Sequence, residues 1–271
     1  MATGDRYVLG YRQAEQERLQ RQAEQLGHES ARLFDEIGIS QGARVLEMGC
    51  GPRGCLDLLS TRVGASGRVI GIEVNPDAVA LAESFVAERG LENVEVVAGD
   101  ARSTGLPEGS FDLVTSRLVL VLIPQPTQVI AEAVTLARPG GAVAFHETDW
   151  AAVICDPPSR AWTTVVELFM AVAEKNGNDF SLGRKLPRLL RQAGLIDLHV
   201  NPIVHFCPPG NPRRPLLVDF VDNMRERILA LHLVEEEELV QLRQALARHL
   251  DNPDTTVFHG PYIQAWGRKP A

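Results

Sequence analysis

Residues 43–54, Ala-Arg-Val-Leu-Glu-Met-Gly-Cys-Gly-Pro-Arg-Gly, restrict the fold of this chain more than any other stretch. The apolar pair Val45-Leu46 predicts a short buried strand, the glycines at 49 and 51 predict a turn, and the leucines that follow predict a helix with an apolar face. Glycine permits backbone conformations that a side chain would forbid, so a ligand can lie against such a turn and the N-terminus of the helix. The stretch therefore predicts an α/β unit with a nucleotide-like ligand at its turn.

Three acidic residues mark the ends of three successive predicted strands. Glu47 lies two residues before the first glycine, Glu73 follows the apolar run 68–72, and Asp100 follows the run 94–97. Together with the glycine turn, these residues resemble the class I S-adenosylmethionine-dependent methyltransferases. In that family the glycine loop lies along the methionine part of the cofactor, the second acid binds both ribose hydroxyls, and the third accepts from the adenine amine.

The resemblance implies S-adenosyl-L-methionine as the cofactor of a methyltransferase. A carboxylate has two acceptor oxygens and can hold two neighbouring hydroxyls, and an acidic cleft suits the cationic sulfonium better than a pyrophosphate. The residues that the resemblance places at the cofactor are Glu47, Gly49, Cys50, Gly51, Glu73, Val74, Asp100, Ala101 and Arg117.

Two other functions are compatible with parts of this pattern. Gly49, Gly51 and Gly54 also satisfy the G-x-G-x-x-G spacing of dinucleotide-binding folds, with Glu73 at the right distance, which would suit a nicotinamide-dependent oxidoreductase. That interpretation leaves Glu47, Asp100 and the Pro-Gly-Gly turn at 139–141 unexplained. The third possibility is a catalytically silent cofactor-binding partner protein.

From residue 42 onward, strand and helix patterns alternate, which predicts βαβ units and a Rossmann-like, mostly parallel sheet with helices on both faces. The resemblance implies seven strands, the last of them antiparallel and inserted between the fifth and the sixth. We expect a core of residues 40–212 and 252–271 and a helical cap at 213–251. Residues 1–39 are expected to form helices that either close over the site as a lid or pack on the outside.

The acceptor site is expected where Thr148-Asp149-Trp150 follows the fifth strand, because open α/β sheets bind ligands at the carboxyl ends of their strands. Histidine titrates in the range useful for a base, although a lone histidine is more often structural. The candidate catalytic residues are His146, Asp149 and His205, and the candidate acceptor-binding residues are Tyr7, Tyr11, Trp150 and His259.

Nucleic acid is an unsuitable acceptor for this chain. The 271 residues carry a formal net charge of −8, which argues against a broad electrostatic footprint for DNA or RNA. Asp156-Pro157-Pro158-Ser159 is similar to the D-P-P-Y motif of methyltransferases that act on bases, but that motif follows the fourth strand, and here it does not. We interpret the prolines as a bend. We expect the acceptor to be a small, partly apolar metabolite, such as one of secondary metabolism, that is methylated at oxygen, nitrogen or carbon.

The remaining composition predicts an ordinary globular protein without metal. The four cysteines have no C-x-x-C or zinc-like spacing, and the acidic run 235–238 is interpreted as the start of a helix. Neither a charged-then-apolar leader nor a run of about 18 apolar residues occurs in the sequence. We therefore expect a cytoplasmic monomer or homodimer with no membrane partner.

Overall fold

The structure, a computed structural model, describes residues 13–271, with side chains from residue 16 onward. Its strands are β1 Arg44–Met48, β2 Arg68–Glu73, β3 Val94–Ala98, β4 Phe111–Arg117, β5 Ala137–Thr148, β6 Ile154–Asp156, β7 Ile196–Phe206 and β8 Thr256–Arg268. Its α-helices are α1 Gln13–Gln25, α2 Gly27–Ile37, α3 Leu56–Val63, α4 Pro76–Glu88, α5 Pro126–Leu136, α6 Arg160–Lys175, α7 Leu186–Gln192, α8 Leu216–Ala230 and α9 Glu236–Asp251.

The sheet confirms the predicted topology. Strands β3, β2, β1, β4 and β5 lie side by side in that order and are parallel. The last strand, β8, is antiparallel and lies between β5 and β7. The carboxyl ends of the parallel strands therefore meet at one edge of the sheet, which is where the predicted site residues were placed.

One strand was not predicted. The two prolines at 157 and 158 do form a bend, but the three residues before them form β6, which pairs with Thr256–Phe258 of β8. The strand forms because β8 is longer than the part of it that pairs with β5. The pairing of β8 with β5 stops at Tyr262, and β6 forms hydrogen bonds with the backbone of β8 beyond that point on the same side.

Helices cover both faces of the sheet, as expected from the alternation along the strands. On one face, the buried side chains of α2 and α3, such as Phe34 and Leu59, pack against Val45 and Leu113. The larger cluster on the other face joins α5, α6, α7 and α8 to Leu46 and to neighbouring strand residues. Neighbours along a strand thus point to opposite layers.

The insertion before the last strand forms two helices, α8 and α9. The buried guanidinium of Arg214 holds the two ends of this insertion together. It donates hydrogen bonds of 2.5–3.0 Å to four carbonyl oxygens, those of Cys207, Leu250, Asn252 and Thr255. These carbonyls belong to the segments that enter and leave the insertion, so Arg214 joins its two ends. Within residues 13–271, no helix is long and apolar enough to cross a membrane.

Candidate functional site

The turn between β1 and α3 requires glycine at specific positions. Gly49, Gly51 and Gly54 all have positive φ angles, of 72°, 58° and 55°. A Cβ at position 49 would lie 2.5 Å from Cγ2 of Val119, and one at position 54 would lie 2.6 Å from Oε2 of Glu47. The spacing of these glycines is therefore explained by backbone conformation and by close contacts within the fold.

Glu73 holds this turn against the start of α4. Its Oε2 accepts a hydrogen bond from the backbone N–H of Gly51 at 3.0 Å, and its Oε1 accepts one from Asn75 at 2.8 Å. Each carboxylate oxygen has further acceptor capacity. The carboxylate is thus fixed in direction and still able to bind a pair of hydroxyl groups.

Glu47 is buried beneath the turn. Both of its carboxylate oxygens lie 2.9 Å from the backbone nitrogen of Cys55, which donates to them at the start of α3. Burial raises the pKa of Glu47 to about 7, although the neighbouring Arg117 opposes the shift. Arg117 also donates to Oγ of Ser30 at 2.8 Å and to the carbonyl oxygen of Gly54 at 3.1 Å, so it connects α2 with the turn.

Asp100 lies after β3 and pairs with a neighbour. The guanidinium of Arg102 donates to its carboxylate at 2.7–3.1 Å, and this hydrogen bonding is the main reason that the pKa of Asp100 is lowered. Both residues line the same cavity. A ligand amine at Asp100 would share the carboxylate with Arg102.

All nine residues that the resemblance placed at the cofactor line one cavity of about 530 Å³, called here the large cavity. It lies over the carboxyl ends of the parallel strands, and α1 supplies part of its wall through Gln16, Leu19, Gln22 and Ala23. The structure therefore brings residues 47, 49–51, 73–74, 100–101 and 117 together. Their roles as ligand contacts remain predictions.

A second cavity of about 50 Å³, the side pocket, adjoins the first. It shares Leu19, Gln22, Leu118 and Leu122 with the large cavity, and we call these four residues the shared wall. Its aromatic lining consists of Trp150, Phe169, Phe180, Phe220 and Tyr262.

The rings of the side pocket pack tightly on one another. Phe169 stacks between Phe180 and Phe220, with centroids 4.5 and 4.6 Å away, and Trp150 meets Phe169 and Phe220 edge-on at 5.1 and 5.2 Å. Such interlocked rings give a rigid apolar surface. The predicted acceptor residue Trp150 is therefore part of an aromatic wall, a position compatible with its proposed role.

Glu147 is a site residue that the sequence did not reveal. Its fully buried carboxylate accepts backbone N–H bonds from Val119 and Leu120 at 3.0 and 2.8 Å and a longer one from Val121 at 3.4 Å. Burial raises its pKa to about 8, against the effect of these bonds. Glu147 thus holds the loop after β4, which supplies two residues of the shared wall and the Val119 side chain that contacts Gly49.

A signal for Glu147 does exist in the sequence. An acidic residue directly after the apolar run 142–145 is unusual in a buried strand, because a buried carboxylate needs hydrogen-bond donors. The donors come from the loop after β4, more than 25 residues away in the chain. The sequence therefore indicates that the carboxylate of Glu147 needs hydrogen-bond donors, but it does not indicate which residues supply them.

The candidate bases on β5 and β7 are His146 and His205, and neither of them lines the large cavity or the side pocket. His146 is fully buried, and burial lowers its pKa to about 3. His205 pairs through Nε2 with Oε1 of Glu29 at 2.7 Å. The two imidazoles lie on either side of the Tyr262 ring, with centroids 5.8 and 5.1 Å from it. Their catalytic role stays a prediction.

The other acceptor-site candidates differ in position. Asp149 is buried, forms an ion pair with Nε of Arg184 and accepts a hydrogen bond from the N–H of Ala151. His259 is buried behind Trp150 at a centroid distance of 5.6 Å, and burial lowers its pKa to about 4. Neither Asp149 nor His259 lines the side pocket.

Tyr7 and Tyr11 lie outside the described residues. Among residues 13–271 there is no cluster of potential metal ligands.

Comparison with known proteins places the chain among methyltransferases. A family model described as a methyltransferase domain matches residues 39–194, which is more than half of the chain. Aklanonic acid methyltransferase DauC from Streptomyces sp. (strain C5) is 35% identical over 114 residues, which cover 42% of this chain and 52% of that protein. Nocamycin O-methyltransferase from Saccharothrix syringae is 37% identical over 112 residues, covering 41% and 40%. The chain thus spans about half the length of these curated relatives, or less.

Solved structures show the same fold. Phosphoethanolamine N-methyltransferase 2 from Haemonchus contortus, in complex with S-adenosyl-L-methionine, superimposes with a TM-score of 0.57 at 17% sequence identity. The match covers 90% of this chain and 53% of the other. It supports the Rossmann-like architecture described above.

Proposed function

We propose that this chain, which belongs to the class I S-adenosylmethionine-dependent methyltransferase family, transfers a methyl group from S-adenosylmethionine to a small, partly apolar metabolite. One observation carries the proposal. The nine residues assigned to the cofactor line a single cavity, and that cavity shares a wall with an aromatic side pocket. A methyl donor in the large cavity would therefore lie beside an acceptor that contacts the aromatic residues of the side pocket.

The residues present fit this cofactor. Glu73 offers two oriented acceptor oxygens for the ribose hydroxyls, and Asp100 offers an acceptor for the adenine amine. The glycine turn leaves room for a ligand against the backbone, and the acidic Glu47 and Glu73 suit a ligand that carries positive charge. When bound, S-adenosylmethionine supplies a methyl group already activated by the sulfonium.

The remaining task of the protein is to position the acceptor and to exclude water. The stacked rings of the side pocket provide a rigid, apolar surface for this purpose. No histidine is among the described residues that line either cavity. The arrangement therefore favours catalysis by proximity, with an acceptor that needs little help in losing a proton. The name of nocamycin O-methyltransferase supports oxygen as the acceptor atom.

Calorimetry with S-adenosylhomocysteine and with NAD⁺ tests the cofactor assignment. We expect S-adenosylhomocysteine to bind and NAD⁺ to show no measurable binding. Binding of NAD⁺ alone would support the oxidoreductase alternative and overturn the proposal.

Incubation with methyl-labelled cofactor and a cell extract tests the transfer itself. A labelled small molecule is the expected product, and its structure would identify the acceptor. Cofactor binding without any labelled product, in extracts that contain the acceptor of a related methyltransferase, would instead support a silent cofactor-binding partner.

A further inference from the structure

We infer that Gln16 is a further cofactor-binding residue, whose side-chain amide accepts a hydrogen bond from an N–H or O–H group in the adenosine half of S-adenosylmethionine. This inference rests on the proposed function and adds a contact from α1 to the residues assigned above. Gln16 lies near the start of α1 and lines the large cavity.

The amide of Gln16 is buried without a hydrogen-bond partner. The residue is 7% exposed, and its enclosed Oε1 atom accepts no hydrogen bond from the described residues. Within the part of the chain that the structure describes, no other side chain lining either cavity has such an atom. A buried polar group normally has a partner, because it gives up its bonds to water. The missing donor therefore belongs to a ligand.

The direction of Gln16 identifies which cavity holds that ligand. Gln16 and Ala23 are nearly two full helical turns apart, so they point in nearly the same direction, and both line the large cavity only. Arg18 lies on the opposite side of α1 and lines the side pocket only. Gln16 therefore faces the cofactor and not the methyl acceptor.

The position of Gln16 along α1 selects one half of the cofactor. Arg53 of the glycine turn donates to Oε1 of Glu24 at 2.6 Å, which fixes the last turn of α1 beside the glycine turn. Gln16 precedes Glu24 by about 12 Å along the helix axis, at 1.5 Å per residue. The methionine part of the cofactor is assigned to the glycine turn. Gln16 thus lies at the distance of the adenosine part.

The adenosine half offers a donor for this amide. Its adenine amine has two N–H groups, and Asp100, the acceptor assigned to the amine, shares its carboxylate with Arg102. One N–H of the amine, or a ribose hydroxyl, can therefore pair with a further acceptor. The terminal torsion of a glutamine side chain has only a broad preference, so its oxygen can turn toward the ligand.

The same hydrogen bond links the cofactor to the acceptor site. Helix α1 also supplies Leu19 and Gln22 to the shared wall. A cofactor that is bound to Gln16 holds α1 in place, and with it this wall of the side pocket. Gln16 is thus a positioning residue for the acceptor, which it does not touch.

The test replaces Gln16 by methionine, which has a similar shape and helix propensity but lacks the amide. Calorimetry on the full chain measures the affinities for S-adenosylhomocysteine and for 5′-methylthioadenosine, which lacks the amino-acid part. We expect Gln16→Met to weaken the binding of both about tenfold. Weaker binding of S-adenosylhomocysteine alone would place the donor in the amino-acid part and overturn the inference, as would unchanged affinity for both ligands.

Gln20→Met is the matched control, because Gln20 belongs to the same helix and lines neither cavity. It should leave both affinities within about twofold of wild type, since it removes an amide that faces no ligand. An equal loss of affinity in Gln20→Met would show that any glutamine of α1 matters through the helix, and the specific role of Gln16 would be wrong.

The melting temperature of the free protein separates a binding role from a structural one. Gln16→Met removes a buried acceptor that has no partner, so the melting temperature should stay the same or rise. A lower melting temperature together with weaker binding would show that Gln16 only supports the fold, which overturns the inference. Gln16→Leu is the second variant if Gln16→Met does not fold.

Failure of this inference is distinguishable from failure of the proposed function. If the wild-type chain binds neither ligand, both fail. If the wild-type chain binds S-adenosylhomocysteine, and Glu73→Ala weakens that binding while Gln16→Met does not, the cofactor assignment stands and only the role of Gln16 is wrong.

Discussion

The large cavity and the side pocket share a wall, yet they are built from the chain in opposite ways. Apart from α1 and Asn176, the large cavity is lined by residues between 47 and 124, which include the glycine turn and the carboxylates of Glu47, Glu73, Asp77 and Asp100. The side pocket draws its rings from the turn after β5, from α6, α8 and β8, and from the segment before α7. The first therefore depends on local backbone geometry, and the second depends on packing between remote segments.

This difference determines what each region tolerates. A glycine with positive φ or a carboxylate that caps a turn has few substitutes, so the large cavity should respond sharply to single changes. An aromatic stack can be refilled by other apolar side chains of similar volume, so the side pocket can change its ligand while the fold persists. If the two regions are independent in this way, a substitution in one of them should leave ligand binding at the other unchanged.

Glu73→Ala should give the largest effect and should be confined to the large cavity. The change removes the carboxylate that we propose as the acceptor for two ribose hydroxyls, and it releases the N–H groups of Gly51 and Asn75. We expect a loss of about 2–4 kcal/mol in S-adenosylhomocysteine binding, measured by calorimetry. Glu95→Ala, which removes an exposed acid of β3, is the control and should leave the affinity unchanged. Unchanged affinity in Glu73→Ala would refute the cofactor assignment.

Trp150→Ala should affect the side pocket alone. The change opens the aromatic wall, so turnover of the acceptor should fall at least about tenfold because the acceptor is no longer positioned. S-adenosylhomocysteine affinity should stay within a few-fold of wild type, since Trp150 does not line the large cavity. Trp150→Phe serves as the milder variant if the loss of packing lowers the melting temperature too far. An equal loss of cofactor affinity would show that the two regions are not separable.

The pH dependence of stability should have opposite signs in the two regions. Burial raises the pKa of Glu47, at the large cavity, to about 7. Between pH ~4.5 and 7 the folded state therefore binds more protons than the unfolded state, and stability falls as pH rises across that range. The pKa of His259, behind the side pocket, is lowered to about 4, so the unfolded state binds more protons between that pH and ~6.5, and stability rises with pH there.

Denaturant unfolding at a series of pH values measures both slopes. Glu47→Gln should remove part of the decline between pH ~4.5 and 7, and His259→Phe should remove part of the rise between pH ~4 and 6.5. Each difference is limited to about 1.4 kcal/mol per pH unit for one proton. A Glu47→Gln slope identical to that of wild type would contradict the raised pKa.

Glu147→Gln should give the smallest effect, but it is the change that links the two regions. The amide keeps the shape of the side chain but replaces one acceptor oxygen by an NH₂ group, which is a donor. At least one of the backbone N–H groups of residues 119–121 that donate to Glu147 then loses its acceptor. We expect cofactor and acceptor binding to weaken together by about 1 kcal/mol each. Glu132→Gln is the matched control, because Glu132 accepts a backbone N–H from Thr104 outside both cavities. Loss of only one affinity would show that the loop after β4 does not couple the regions.

The sequence predicted the sheet and the large cavity well for the same reason. The glycines at 49 and 51 are required by backbone angles, and Glu73 caps groups only two and twenty-two residues away. Such constraints leave a pattern of residue types at short spacing, which can be interpreted without knowledge of the tertiary fold. Strand β6 escaped prediction because its existence depends on the length of β8, about a hundred residues further on.

By itself, the sequence determined the alternation of strands and helices from β1 to β5, the glycine turn and the acids at the strand ends, because each follows from backbone conformation or local hydrogen bonding. Only the tertiary structure decided that Phe169, Phe180, Phe220 and Tyr262 form one pocket with Trp150, and that His146 and His205 lie behind Tyr262. It also decided that Glu147 holds the loop after β4. The physical reason is that side-chain packing joins segments far apart in the chain, and a residue's type does not specify which distant neighbour will meet it.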